Sequence, residues 1–209
     1  ALDNSPNLRH DTLGMDDQEV LLRVQALERH PEGLFFPDTY LFSRGASDLQ
    51  VLRRAYQYQQ ITGLPLVLHE EDARLSGRGV AHEGAVASRL GLAGIPPISE
   101  SIAVARDAVL AEYEGGRIHI CHVSASETVE EIRRAKERGV RITAEVTPHH
   151  LALTDAAIES LDASRHKMNP PLREESDRRA LVAGLIDGTL DLVATDHAPH
   201  DADEKEGPF

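Results

Sequence analysis

Apolar positions follow two regimes along the chain. Val20, Leu21, Val24 and Leu27 recur at helical spacing behind Asp16-Asp17-Gln18-Glu19, and predict a short amphipathic helix with an acidic first turn. His30-Pro31-Glu32-Gly33 breaks that pattern, and Leu34 to Phe42 then gathers half of the chain's Phe and Tyr as a strand or docking segment. Asp48 stands at an N-cap position ahead of Leu49, Val51, Leu52, Ala55 and Tyr56, and Gly63 closes the run.

From residue 64 short solid apolar runs alternate with helical periodicity. Leu64 to Leu68, Arg117 to Cys121, Val140 to Val146 and Leu190 to Thr195 read as strands. Between them Val80 to Leu92, Ser99 to Tyr113, Ser126 to Arg138 and Glu174 to Ile186 read as helices, the second opening on Ser99-Glu100-Ser101 and ending at Gly115-Gly116. Strand and helix alternate from 64 to 196, which predicts an α/β fold with a parallel sheet and crossover helices.

Composition narrows the function classes. With 35 acidic against 22 basic side chains in 209 residues, the formal charge of −13 disfavours a nucleic-acid partner. The single Cys121 cannot form an internal disulfide, and no apolar run approaches the roughly 20 residues that span a bilayer, so no membrane association and a cytoplasmic location are expected.

Eleven histidines are many for this length, and three predicted strands end in a potential metal ligand: His69, His122 and Asp196. In a closed parallel barrel such ends converge on one mouth, so residues distant in sequence become neighbours. Imidazoles with a carboxylate suit a divalent ion such as zinc, which brings a bound water to a pKa of roughly 7. His149 and His150 read more simply as imidazoles bonded to a neighbouring loop than as ligands. Glu70, Glu71 and Asp72 read as a solvated helix start, with support of a ligand by one of them as the alternative. Cys121 reads as a packed thiol.

His69-Glu70-Glu71-Asp72, His119 to Ser124, Ala144 to Leu151, Asn169 to Arg173 and Ala194 to His200 together resemble the successive motifs of bacterial dihydroorotase, a family of the amidohydrolase superfamily, over about residues 46 to 209. The resemblance implies a zinc-bearing (β/α)8 TIM-type barrel and reversible hydrolysis of dihydroorotate to N-carbamoylaspartate in pyrimidine synthesis. It implies His69 and His122 as ligands of one zinc at the ends of strands five and six. It makes Asp196, at the end of strand eight, a ligand of the other zinc and the catalytic acid or base, and places Asn169 and His200 at substrate-binding positions.

Two departures change the expectation. The family's first strand ends in a His-x-His pair that occurs nowhere in these 209 residues, and Phe42-Ser43-Arg44-Gly45 carries arginine where the family has a bridging acid. The resemblance therefore covers a partial barrel, strands five to eight, with at most one weakly held zinc and little turnover. The segment Pro31 to Tyr40, followed by Ser47-Asp48-Leu49, resembles a stretch of endolytic murein transglycosylases. A foreign α/β segment at 1–56 is thus expected to precede a dihydroorotase-like half barrel at 57–209. The alternatives are a non-catalytic dihydroorotase-like partner of aspartate transcarbamoylase and a cell-wall transglycosylase-related protein. Unpaired strand edges would favour a homo-oligomer.

Overall fold

In the computed structural model, residues 49–161 and 164–198 are described. The predicted helix near Val20, the aromatic run at 34–42, Arg44 and His200 lie outside them.

Helix α1 (Leu49–Thr62) leads into β1 (Leu66–Leu68). A short α2 (Ala73–Ser76), β2 (Ala81–His82), α3 (Ala85–Leu90) and β3 (Gly94–Ile95) precede the long α4 (Ile98–Glu114). Then follow β4 (Arg117–Ile120), α5 (Ser126–Glu137), β5 (Arg141–Val146), α6 (Pro148–Ala152), α7 (Glu175–Asp187) and β6 (Leu192–Val193). The main sheet has the order β1-β4-β5-β6 and is parallel throughout, with Leu66 opposite Ile118, Ile118 opposite Ile142 and Glu145 opposite Leu192. Consecutive β/α units, as the alternation predicts, therefore run the length of the sheet.

Strand alternation explains the core. Leu66, Leu68, Ile118, Ile120, Ile142, Ala144 and Val146 are buried with Val104 and Ala108 of α4, Val129 and Ile132 of α5 and Leu181 of α7. Leu52 and Tyr56 join the same core, so α1 packs as one piece across residue 56. On the alternate positions His119 bonds Thr143 Oγ1 at 2.8 Å and Glu145 Oε2 at 2.9 Å.

Two elements differ from the sequence reading. Val80 to Leu92, read as one helix, divides into β2 and α3 around an extended Gly84, and β2 pairs with β3 in a separate two-stranded sheet. Glycine permits that packing: a Cβ on Gly79 would fall 2.4 Å from Ile95 Cγ1 and 2.6 Å from the Gly94 oxygen. The run Leu190 to Thr195 pairs only over Leu192–Val193, both of which are exposed.

Candidate active site at the strand ends

Parallel register places the chemistry. Leu68 lies opposite Ile120, and the Cys121 N–H donates to the Leu68 oxygen at 2.9 Å, which sets the residues after β1 beside those after β4. His69 Nδ1 and His122 Nε2 come to 2.8 Å, with the rings edge to face at 75°. Two residues 53 apart in sequence and predicted to converge are thus in contact.

The backbone bends to achieve this. His122 at φ 36° and Asp196 at φ 48° are the non-glycine residues with positive φ among the described residues. A left-handed conformation costs an ordinary residue about 1–3 kcal/mol and persists where surroundings enforce it. After His122 the Val123 N–H donates to the Glu145 oxygen at 2.9 Å, and after β6 the Ala194 N–H donates to the Val146 oxygen at 3.0 Å.

Burial, then the charge of His69, pushes His122 down to about 4, so it is neutral at physiological pH. Its Nδ1 is buried with no partner in the structure. His69 Nε2 lies 3.3 Å from Glu71 Oε2, to which Asn169 Nδ2 also donates at 3.0 Å. The His69 contact leads the causes that hold Glu71 down at about 2. Asp196 is exposed, and its charge is felt by His122 and His149.

The acids after β1 correct the picture of a solvated helix start. Glu70 is buried; desolvation, then the charge of Asp107 on α4, pushes it well above the usual carboxylate range. Arg106 in turn holds Asp107 at 2.6 and 3.0 Å. Asp72 caps α2, accepting from the N–H groups of Arg74 at 2.9 Å and Leu75 at 3.3 Å. Glu71 alone faces the histidines. His150 is buried between Thr147 Oγ1 at 2.7 Å and the Pro170 oxygen at 3.1 Å, the loop-bonded role expected of it. Cys121 is half-buried and free of disulfide.

Arg173 closes the Asn169 to Arg173 motif, but its partners are all remote in sequence, so the motif alone assigns it no role. Its buried guanidinium donates to Ser124 Oγ at 3.1 Å and the Ile95 oxygen at 2.8 Å and lies 3.2 Å from His82 Nδ1. Glu100, 3.9 Å from it, accepts from the N–H groups of Ser124 at 2.9 Å and Ala125 at 3.1 Å and from the Ser124 hydroxyl. This network ties the loop after β4 to α4, to β3 and to the segment that carries Asn169.

Two facing imidazoles, one with an orphaned buried nitrogen, are a donor pair suited to a borderline divalent ion. Their 2.8 Å separation is a hydrogen-bond length, below the roughly 3.3 Å between two nitrogen ligands of a tetrahedral zinc. No group of three or more His, Cys, Asp and Glu side chains able to hold a metal is present among the described residues. They thus fit part of a zinc site.

The described residues form an α/β unit whose parallel sheet carries polar side chains at its carboxyl ends. Residues 40–128 match the dihydro-orotase-like family. Dihydroorotase of Anaeromyxobacter dehalogenans strain 2CP-C is 56% identical over 160 residues, 76% of this chain and 37% of that protein. Dihydroorotase of Anoxybacillus flavithermus is 48% identical over 161 residues, 77% of this chain and 37% of that protein. Among solved structures, D-hydantoinase (dihydropyrimidinase) from Thermus sp. superposes with a TM-score of 0.65 at 26% identity, covering 75% of this chain and 35% of that one. Dihydropyrimidinase from Brevibacillus agri gives 0.69 at 22% identity over 90% of this chain and 42% of its own, a likeness of fold. Over most of its length, then, the chain is related to bacterial dihydroorotase. It spans 37% of the curated relatives cited. No described helix is long and apolar enough to cross a membrane.

Proposed function

We propose that the chain carries strands five to eight of a (β/α)8 barrel and with them part of a zinc-dependent cyclic amide hydrolase site of dihydroorotase type. Its substrate would be dihydroorotate, opened reversibly to N-carbamoylaspartate in the cytoplasm. The observation that carries this reading is the pair His69 and His122, set 2.8 Å apart at adjacent parallel strand ends on a chain whose relatives are dihydroorotases.

Zinc would be held by His69 and His122, with Asp196 as a further ligand, and would supply a polarised carbonyl and a water acidic enough to ionise near neutral pH. The remaining tasks belong to side chains. Asp196, exposed at the mouth, takes the proton from the attacking water and returns it to the leaving ring nitrogen. Asn169, held by Glu71 at 3.0 Å, presents its amide to the substrate beside the imidazoles. By the family resemblance His200 would contact the substrate. Residues 1–56 are read as a segment of separate origin.

Without a His-x-His pair among these residues, the chain on its own is expected to hold at most one zinc per molecule, weakly, and to turn over little dihydroorotate. Elemental analysis after dialysis, with a ring-opening assay in added zinc, tests this. Zinc uptake lost in His69→Ala and His122→Ala supports the reading. Two tightly held zinc ions, or uptake indifferent to both substitutions, would overturn it.

A further inference from the structure

We propose that Glu71 is the positioning residue of this site: its carboxylate fixes the tautomer of His69, so that the nitrogen facing His122 is bare, and ties that ring to the Asn169 amide. The inference rests on the reading of His69 and His122 as metal ligands.

The hydrogen bonds determine the protons. An ionised carboxylate only accepts, so its contacts with His69 Nε2 at 3.3 Å and Asn169 Nδ2 at 3.0 Å require both nitrogens to donate. The 3.4 Å between Asn169 Nδ2 and His69 Nε2 is then the spacing of two donors converging on one oxygen. With its hydrogen on Nε2, a neutral His69 offers the Nδ1 lone pair to His122 Nε2, 2.8 Å away. His122 donates that bond from Nε2, which leaves its buried, partnerless Nδ1 unprotonated. One carboxylate thus orders both rings. The opposite His69 tautomer would give up the Glu71 contact and point its own hydrogen at His122. In the tautomer that Glu71 favours, the one hydrogen between the rings belongs to His122, which must move it to the partnerless Nδ1 before both rings can ligate an ion.

The chain is built to aim this carboxylate. Glu70 is drawn into the core towards Asp107, and Asp72 is committed to capping α2, its own N–H donating to the Ser99 oxygen at 2.8 Å. Between two fixed neighbours, Glu71 projects to the remaining side. A carboxylate on the outer nitrogen of a ligating imidazole raises its basicity, and losing such support typically costs ten to a hundredfold in metal affinity.

The test uses the whole chain and two readouts other than turnover. Imidazole nitrogen NMR of metal-free protein should find His69 as the Nε2–H form in the wild type and in Glu71→Gln, whose amide oxygen still accepts, and as a mixture in Glu71→Ala. Zinc titration should weaken about ten- to a hundredfold in Glu71→Ala and by a smaller factor in Glu71→Gln. A His69 ring that keeps the Nε2–H form in Glu71→Ala, or a zinc affinity within twofold of wild type, would overturn the proposal. If Glu71→Ala fails to fold, Glu71→Gln decides, since unchanged zinc affinity there also overturns it. Wild-type protein that takes up no zinc would defeat the ligand reading, while the NMR comparison still judges Glu71.

Discussion

At the amino ends of the four main strands, the left-handed turns are made by Gly63, Gly115, Gly139 and Gly188; at the carboxyl ends, the same backbone conformation is made by His122 and Asp196. The partners differ too. Below the sheet, Gln59 accepts from the Arg117 N–H at 2.7 Å and donates to its carbonyl, and the Arg117 side chain donates to the Gly63 oxygen at 2.8 Å. Above it lie a neutral buried histidine, the desolvated Glu70 and the buried Arg173–Glu100 pair. Glycine takes positive φ without strain, so the lower end costs little to build. The upper end accepts strain and desolvated charge in return for side chains placed where a ligand could use them.

Arg173→Met should give the largest effect, because Glu100 would stay buried without its cation; about 3–5 kcal/mol of stability is expected to be lost in denaturant titration. A loss below about 1 kcal/mol would mean that the upper end does not depend on this pair.

His150 sharpens the contrast through pH. Burial holds it at about 3 against an ordinary 6.5. As pH falls below 6.5 the unfolded chain takes up a proton that the folded chain refuses until about 3, so stability is whole above 6.5 and drops through that window. The slope approaches about 1.4 kcal/mol per pH unit. His150→Gln, which does not titrate, should lose correspondingly less between about pH 7 and pH 5, and parallel stability curves for the two proteins would contradict the burial argument.

Smaller still is the backbone term. His122→Gly should be more stable than His122→Ala by about 1–2 kcal/mol, since glycine relieves the left-handed turn. At the other end Gly115→Ala should cost about 1 kcal/mol by introducing the strain that His122 already bears. Equal stability of the two His122 variants would remove strain from the comparison. Gln59→Ala should cost about 1 kcal/mol and leave zinc binding unchanged, as expected of a purely structural lower end.

The strands were legible because each is a short apolar run closed by a turn, and His69 and His122 because each follows such a run directly. Val80 to Leu92 misled because Val86 and Leu90 do stand four apart on the short α3, while the preceding Val80 to Glu83 is held extended by pairing with β3, which Gly79 lets approach closely. The division of labour among Glu70, Glu71 and Asp72 could not be read locally. The charge that faces buried Glu70 is that of Asp107 on α4, and the amide that meets Glu71 is Asn169, 98 residues away. Periodicity reports which side of an element is apolar; it is silent on which carboxylate meets which distant partner.

The small sheet of β2 and β3 has a consequence in time. Its ladder is two residues long on each side, flanked by the Val80 N–H on the Ala93 oxygen at 2.9 Å and the Glu83 N–H on the Ile95 oxygen at 3.1 Å. Its apolar support is a separate cluster of Ala81, Ala87 and Ile158, apart from the main core. A unit with so few attachments opens alone, far more often than the whole molecule unfolds. In deuterated water the amides of Val80 and Glu83 should exchange well before those of Cys121 and Val123, which bridge the main strands. The crossover between β1 and β4 then breathes as a leaf beside a closed book, and Arg173, which holds the Ile95 oxygen at 2.8 Å, is its hinge pin.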